Sequence, residues 1–594
     1  MTQPLLCSPS APTVPNWVCD KLPPRLAGEL DEIGRFLRSP ADVMSPAAMR
    51  AMSRTRLSFA DTLVARMISN GWVIRLVHCE VDGEGLGLIV YEIDAEDTTM
   101  HFGAFSYPPL PLGHQRLFRD TKTDFFGVLL AGPVDIDRLH REREQFDTAV
   151  WRGRTDSRVF GWTVANRGTR TFGNVIDALA DGRQPDPVEL ERNGGYIIRN
   201  GGYYGNGRMG TRAWQSYASA GPFSTPYHVD LFCVYMWRLL GFDVADAAAR
   251  ARNPAAASLA PGLKRYLGIG NSSGLGTVAA LVRWPARLSA YMTSRELAFA
   301  YVMSRKGPVD AVRRARLESL LTRAEHAYAR AVEPTPGLVE DRHLVASVLA
   351  SIRGDVVAGR GMDGSTYPWA TLLERAETYG SKESVELLRS LLLELYPEVD
   401  DLTEVTVTGM ARECAVEPAM TVGELRRLIE QHSGWALRRD LHDPAARAYF
   451  WYRSEENGEN RRGERAIDIG VERETFVDVA GTIRRLYDAL TAIPEATSVG
   501  RFLLTEPEHT LGVARAQFAR TSPFSEIQAS VCAEDFTPCD AIRCFLTVLG
   551  VELPEPHSAR WVRGTFFRGA PLPEDIADGD SHDWILPERP EVAA

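Results

Sequence analysis

Residues 72–93 read WVIRLVHCEVDGEGLGLIVYEI, and this stretch decides the fold class. Trp72–Val81 alternates between apolar and polar residues and is rich in β-branched side chains. The turn-forming residues Asp82-Gly83-Glu84-Gly85 follow, and Leu86–Ile93 then resumes the strand pattern. Two such runs separated by a short glycine-containing turn are typical of a β-hairpin. The stretch therefore predicts antiparallel sheet near the start of the chain.

The sequence on either side of the hairpin extends it into a small α+β unit. Ser58–Asn70 carries an apolar face at helical spacing, while Met100–Tyr107 and Phe125–Leu130 have the composition of further strands. We therefore expect a helix and a small N-terminal sheet, mixed but largely antiparallel, over residues 26–135.

From residue 136 onward the pattern is mainly helical. Long segments such as Tyr227–Arg250, Val278–Met303 and Thr475–Ala492 begin after capping residues and end near Gly or Pro. The fold class predicted is α+β, with the small sheet followed by a large, mainly α-helical body. The predicted division is a disordered tail over 1–25, the α+β domain over 26–135, a helical domain carrying the glycine-rich loops over 136–400, a mainly helical C-terminal region over 401–586 and a tail over 587–594.

Composition excludes several classes of protein. The 594 residues are 44% hydrophobic and 24% charged, which is typical of a globular chain. The net charge of −11 argues against nucleic acid as the main partner. No run approaches the roughly 20 apolar residues of a membrane helix, and Met1–Pro24 lacks the features of a secretory signal. We predict a soluble, cytoplasmic protein, and whether it forms a homo-oligomer stays open.

The stretch NGGYIIRNGGYYGNGRMG, residues 193–210, is the first candidate site. Its glycines allow close approach of backbone N–H groups to a ligand, and its arginines offer planar forks for a carboxylate or phosphate. Tyr203 and Tyr204 could transfer a proton. The residues predicted to bind a small anion are Arg199, Asn200, Asn206 and Arg208. The alternative, a connecting loop whose tyrosines pack over bare backbone, stays open.

A basic, aromatic stretch precedes this site. Residues 151–170 contain five arginines and one acidic residue. Most of these arginines are predicted to form a solvated or structural face. Asn166 and Arg167, which follow the apolar residues of the stretch, are retained as candidate ligand-binding residues.

A second glycine-rich stretch, GIGNSSGLG at residues 268–276, precedes a predicted long helix. The first N–H groups of a helix are unpaired and partly positive, so Asn271, Ser272 and Ser273 could bind an anion there. The serines could equally cap the helix. Both alternatives stay open, and the two glycine-rich stretches could converge on one ligand.

Gly270–Gly276 resembles the glycine-rich turn of short-chain dehydrogenases, which would imply a nicotinamide cofactor. That turn follows a buried strand, whereas Pro261–Leu267 has a helical pattern, and no Tyr-x-x-x-Lys pair follows. The segment is also similar to the Gly-Ser-Ser loop of the fumarase/aspartase superfamily, which sits among long helices. Here it continues Gly-Leu-Gly-Thr-Val, without that family's Met-Pro and lysine. Neither activity is carried over, and no cofactor is predicted.

The histidines suggest one further catalytic candidate. His228 begins a predicted helix, and its ordinary pKa near neutrality suits a general base, although a satisfied structural histidine is the alternative. The chain contains no His-x-x-x-His spacing, so no metal site is predicted.

Two functions follow from these features. The first is an enzyme that acts on a small anionic metabolite, carrying a carboxylate or phosphate, by proton-transfer chemistry of the lyase or isomerase type. It would need no nucleotide cofactor, and Tyr203, Tyr204 or His228 would move the proton. The alternative is a non-catalytic ligand-binding or scaffold protein.

Overall fold

The structure is a computed structural model. It describes residues 28–108, 124–152, 158–168, 171–205, 221–271, 285–330, 336–403, 416–438, 440, 453–456, 459–462, 475–520, 522, 524, 538–553, 564–580 and 583–591.

The first seven strands along the chain belong to one eight-stranded sheet, whose eighth strand is formed by residues 564–566. Its strands, in spatial order, are β1 (Val73–Val81), β2 (Gly87–Ala95), β3 (Thr98–Ser106), β4 (Phe125–Ala131), β5 (Val159–Arg167), β6 (Tyr196–Gly205), β7 (Gly268–Asn271) and β10 (Gly564–Phe566). Neighbouring strands are antiparallel except β6 and β7, which are parallel. A separate two-stranded ribbon consists of β8 (Arg453–Glu456) and β9 (Glu459–Arg462).

The helices of the first half are α1 (Leu30–Gly34), α2 (Pro40–Val43), α3 (Pro46–Ala51), α4 (Phe59–Ser69), α5 (Ile136–Arg152), α6 (Thr171–Ala180), α7 (Pro187–Arg192), α8 (His228–Arg252) and α9 (Pro261–Tyr266). Those of the second half are α10 (Pro285–Met303), α11 (Ala311–Ala329), α12 (Pro336–Ala358), α13 (Pro368–Tyr379), α14 (Lys382–Leu393), α15 (Val422–Arg438), α16 (Thr475–Thr491), α17 (Val499–Thr505), α18 (Thr510–Ala519), α19 (Pro538–Leu549) and α20 (Pro573–Ala577). Short 3₁₀ segments occupy Pro397–Thr403 and Pro507–His509.

The sheet curls around α8, the central helix of the fold. α8 contacts β1, β5, β6 and β7 as well as α4 and α6. Most of its residues are buried, on every side of the helix. A helix that is apolar all round is expected to lie inside a core, because it has no polar stripe to face water. The sequence of α8 thus accounts for its central position.

The opposite face of the sheet is covered in part by α5. Leu139 on this helix packs against Gly103, where an added Cβ would lie 2.4 Å from a leucine methyl carbon. Leu139 joins a second core with residues of β2 to β5, among them Trp162 and Val164. The central part of the sheet is therefore covered on both faces.

The helix α10 is fixed in place by buried ion pairs. Its Arg295 donates to Glu386 of α14 at 2.7 Å, and Arg38 donates to Glu296 of α10 at 2.8 and 2.9 Å. Burial opposes ionisation of Glu386, but Arg38, Arg295 and Arg389 outweigh it and lower the pKa of this carboxyl to about 2. A buried charge is tolerated when it is paired and hydrogen-bonded in this way.

The α+β class is confirmed, and so is the hairpin at residues 72–93, which forms β1 and β2. The extent of the sheet differs from the prediction. It continues past residue 135 through β5, β6 and β7, and β10 comes from near the end of the chain. The glycine-rich stretches 193–210 and 268–276 were expected to form loops, yet parts of both are strands. Neighbouring strands supply hydrogen bonds and aromatic cover that the glycine-rich sequence does not reveal.

Several predictions concern residues at the limits of the described chain. The predicted tail over residues 1–25 lies outside the described residues. Residues 587–591 are described, and Arg589 donates to Glu191 at 2.8 Å. No helix in the described part of the chain is long and apolar enough to cross a membrane.

Candidate functional site

The predicted site residues of β5 and β6 lie side by side in the sheet. Arg199 is opposite Asn166 on β5 and Gly270 on β7, while Asn200 is opposite Ala165 and Asn271. The structure therefore places the described parts of the two glycine-rich stretches next to each other in the sheet.

The side chains of these residues divide between the two faces of the sheet. Trp237 of α8 donates to Thr163 at 2.9 Å, and Thr163 is directly opposite Tyr203, so Tyr203 faces α8. Because side chains alternate along a strand, Arg167 and Asn200 share that face, whereas Asn166 and Arg199 lie on the other. One ligand on one face cannot contact all five residues.

Three of these side chains are engaged in bonds that hold the sheet together. Arg167 donates to the carbonyl oxygens of Tyr107 at 2.9 Å and Gly85 at 3.3 Å, between two phenylalanine rings. Asn166 accepts from the amide of Asp124 at 3.1 Å. The Tyr203 hydroxyl donates to a backbone carbonyl on β5 at 3.0 Å. Such bonds fix strand ends and turns, whatever else these residues do.

The remaining candidates of the glycine-rich stretches are described only in part. Asn200 is buried, and its side-chain oxygen accepts from the amide of Gly202 at 3.4 Å. The backbones of Tyr204 and Asn271 belong to β6 and β7. The predicted residues outside the described part of the chain are Asn206, Arg208, Ser272 and Ser273.

The parallel strands β6 and β7 run towards the same edge of the sheet, and β6 continues for five residues beyond Asn200, which is opposite the last residue of β7. Trp237 of α8 packs over Thr163, whereas Gly241, four residues further on, packs over Ile198 near the start of β6. The helix therefore runs opposite to β6, and its start lies towards the end of that strand.

The start of α10 reaches the same place. The Arg287 guanidinium in its first turn lies 4.9 Å from the ring centroid of Tyr227, the residue before α8. Tyr227, His228, Asp230 and Arg287 are here called the helix-start cluster. Arg287, near the described start of α10, therefore lies beside the residue that precedes α8.

Tyr227 has an unusual backbone at this point. Its φ of 60° places a non-glycine residue in the left-handed region, and its side chain is 2% exposed. The ring packs edge-on against Phe59 at 5.0 Å. Such a conformation costs about 1–3 kcal/mol and persists only when its surroundings impose it, as they often do at functional sites.

Asp230 is the titratable group of the cluster best suited to proton transfer near neutral pH. Burial raises the pKa of its carboxyl to about 7, although Arg287 opposes this shift. Asp230 lies in the first turn of α8, three residues after Tyr227. A carboxyl that titrates near neutral pH can accept a proton and return it.

His228 is held in its neutral form. It is 1% exposed, and its Nε2 lies 3.1 Å from the Thr62 hydroxyl of α4. Burial, assisted by Arg66, lowers the pKa of its imidazole to about 3. An imidazole with this pKa is a weak proton acceptor at neutral pH, so Asp230 fits the role of base better.

The histidine makes the protein sensitive to acid. A pKa lowered on folding stabilises the folded chain above the unfolded pKa of about 6.5, and this contribution is lost as pH falls towards about 3. We expect the wild type to lose about 2 kcal/mol between pH 7 and pH 5 through this group. Urea denaturation of His228→Gln should show a correspondingly smaller loss. His326→Gln, at an exposed position on α11, is the control, and equal losses in both variants would contradict the prediction.

Asp230, Arg287 and Tyr227 were not among the site residues predicted from the sequence. An acidic residue in the first turn of a helix is ordinary, because it complements the helix dipole. Arg287 stands out only as a charged residue in a helix that is buried all round. That feature is readable in the sequence, but the partner of the charge is not.

One group among the described residues has atoms spaced as metal ligands. Glu506, Glu508 and His509 lie within 4.8 Å of one another in a short 3₁₀ turn, and Glu508 is exposed. Acidic groups are common on a solvated turn, and nothing else in the described surroundings points to an ion.

Comparisons of the chain with protein-family models, with curated proteins and with solved structures find no match. What the helix-start cluster can do chemically therefore has to follow from its own residues.

Proposed function

We propose that the protein is a cytoplasmic enzyme that binds a small carboxylate- or phosphate-bearing metabolite at the helix-start cluster and moves a proton on it. The supporting observation is that the buried Arg287 packs on Tyr227 directly before α8, and that His228 and the carboxyl of Asp230 lie in the first turn of that helix. A guanidinium carries a positive charge and matches the geometry of an oxyanion. The site is thus suited to a small anion.

The reaction class follows from the acid-base group. An isomerase that shifts one proton within a substrate needs a single group that takes the proton and returns it, and Asp230 can fill that role. Arg287 would stabilise the negative charge that develops on the substrate in the transition state. A lyase reaction uses the same first step, removal of a proton next to the acid group. Neither reaction needs a nucleotide cofactor.

Binding without catalysis is the second candidate function. The observation that favours it is the engagement of Arg167, Asn166 and Tyr203 in bonds that hold the sheet. These bonds reduce the number of polar groups available for chemistry and leave Asp230 as the main acid-base group near the anion.

The test begins with a thermal-shift screen of small carboxylates and phosphates on the full chain. We expect at least one compound to raise the unfolding temperature of the wild type, and Arg287→Gln to lose that shift. Asp243→Asn is the matched control. Asp243 lies in the second half of α8 and is also a partly buried carboxyl with a raised pKa. It accepts a hydrogen bond from the Tyr91 hydroxyl of β2. A shift that survives in Arg287→Gln would refute the site.

Catalysis is then separated from binding in deuterated water. An enzyme that removes a proton from its ligand exchanges that position with solvent, which proton NMR detects. We expect exchange with the wild type and a loss of at least about 100-fold in Asp230→Asn, the usual scale for a general base. Binding without exchange in the wild type would support the non-catalytic function.

A further inference from the structure

The strand β1 lies at one edge of the eight-stranded sheet, and β2 is its one neighbour among the described strands. It is nine residues long and carries two exposed apolar side chains, Leu76 at 46% and Val77 at 52% exposure. A long strand edge with unpaired N–H and C=O groups readily pairs with another strand, and natural sheets often protect it with lysine or proline. Val73–Val81 contains neither residue. Although α8 and α20 contact β1, five of the six residues from 75 to 80 are exposed.

The pairing of β1 with β2 shows which face of the sheet each side chain occupies, because directly opposite residues point to the same face. Leu76 and Cys79 are opposite residues of the core around α8, so they lie on the inner face of the sheet. Glu80 is opposite Leu88 of the second core, so it lies on the outer face. Arg75 precedes Leu76, and side chains alternate along a strand, so Arg75 is also on the outer face.

We propose that a second copy of the chain binds this edge, and that the two β1 strands pair antiparallel about a twofold axis to form one continuous sheet. The register places Arg75 of each copy opposite Glu80 of the other. In an antiparallel pair this register also places Leu76 opposite Cys79, and the twofold axis makes each contact occur twice. The inference goes beyond the proposed function and does not depend on it.

Charge complementarity on the outer face supports this register. The Arg75 guanidinium uses its Nη2 nitrogen to donate to Glu92 at 2.8 Å and to Asp94, and its other nitrogens make no hydrogen bond to the described residues. The Glu80 side chain is 78% exposed, and its ion-pair partner within the described chain is His78 at 3.7 Å. Arg75 of one copy can therefore bind Glu80 of the other without giving up a bond that it already makes.

The inner face agrees with the same register. Leu76 would cover Cys79 of the other copy, and both are exposed in the single chain. A slip by one residue would place inner side chains opposite outer ones, and a slip by two would place Arg75 opposite His78 or beyond the reach of Glu80. Val77, where the register between β1 and β2 shifts, lies next to the twofold axis. A bulge there increases the local twist and limits the length of the new pairing, so we expect a weak dimer.

Sedimentation velocity of the full chain over the micromolar range tests the association, because a single pair of strands is a small interface. We expect the wild type to form dimers. Arg75→Glu and Glu80→Lys should each weaken dimerisation by at least about fivefold, since each variant places like charges opposite each other twice. An equimolar mixture of the two variants should dimerise again, because every charge pair in the mixed dimer is attractive. Asp97→Lys, which makes the same charge change in the exposed turn after β2, should behave as the wild type.

Leu76→Cys tests the register itself. The introduced thiol would lie opposite the native Cys79 of the other copy on the same face, which is within reach of a disulfide. Oxidised glutathione should therefore link this variant into a covalent dimer, and peptide mapping should find the introduced cysteine joined to Cys79. Asp97→Cys, which is exposed but away from the edge, is the control and should form no such link.

A wild type that stays monomeric over the whole range would overturn the proposal, whatever other protein might bind the edge. Dimerisation that Glu80→Lys leaves unchanged would overturn it as well, since the copies would then meet through another surface. If Arg75→Glu does not fold, the comparison of Glu80→Lys with Asp97→Lys and the disulfide mapping decide the matter. A covalent dimer of Leu76→Cys without a link to Cys79 would contradict the register.

Discussion

Arg238→Met is expected to lower the free energy of unfolding by about 3–5 kcal/mol, because it leaves several buried carbonyl oxygens without a donor. Arg238 is 1% exposed and faces no carboxylate at hydrogen-bond distance among the described residues. Its guanidinium donates instead to the carbonyls of Leu267 at 2.8 Å, Lys264 at 2.9 Å and Ala570 at 2.9 Å. Burial lowers its pKa to about 10, so it stays charged at neutral pH.

These bonds join the end of α9 to the segment that follows β10. Without these bonds the pairing of β10 with β7 should weaken. Hydrogen exchange of the Thr565 and Phe566 amides should therefore become faster as the free energy of unfolding falls. Arg250→Met is the matched control on the same helix, since Arg250 is exposed and makes one 3.5 Å bond. It should change stability by no more than about 0.5 kcal/mol. Equal urea midpoints for the two variants would show that Arg238 has no such role.

Trp237→Ala is expected to cost about 3–5 kcal/mol, the usual range for removing a large aromatic from a core. The side chain is fully buried between α8 and the sheet, with its ring edge-to-face with Phe102 at 5.3 Å. Gly127 on β4 leaves room for this ring, because a Cβ at that position would lie 2.8 Å from a ring atom of Trp237. The indole N–H also donates to Thr163.

Trp237→Phe separates the two contributions. It keeps most of the apolar contact and removes the hydrogen bond, and Thr163 still donates to the carbonyl of Gly202 at 2.8 Å. We expect a loss of about 1–2 kcal/mol from the smaller ring and the missing bond. Urea denaturation followed by circular dichroism gives both values. A loss in Trp237→Ala no larger than that in Trp237→Phe would contradict the packing described for α8.

The hairpin was predictable because its signal is local. Alternation along Trp72–Val81 and Leu86–Ile93, with a glycine-containing turn between them, specifies both strands and their pairing without reference to the rest of the chain. α8 was predictable for a related reason, since a continuous apolar run of this length has to lie in a core. The observed boundaries of both agree with the predicted ones to within a few residues.

The rest of the sheet was not predictable, because its strands depend on distant partners. β6 contains glycines that disfavour a strand on their own, and its backbone is covered by neighbours, as where Tyr203 lies over Gly161. β7 has only four residues and is held between β6 and β10. β10 itself lies almost three hundred residues further along the chain. Such pairings carry no short-range pattern.

The residues of the candidate site were also only partly predictable from the sequence. The two glycine-rich stretches were predicted to bind an anion, and the structure places parts of both in the adjacent parallel strands β6 and β7. Asp230 and Arg287 were not found, since each looks ordinary in its own helix. The fold brings Arg287 of α10 beside Tyr227 at the start of α8, which the sequence of neither helix reveals.

The central claim, an anion site at the start of α8 and α10, is tested most directly by diffraction from crystals grown with selenate. Selenate has the shape and charge of sulfate, and its selenium atom can be located by anomalous scattering. We expect an anomalous peak within hydrogen-bond distance of the Arg287 guanidinium, beside Tyr227 and Asp230, and no such peak in crystals of Arg287→Gln. Selenate bound only at other arginines of the wild type, with none at Arg287, would contradict the claim.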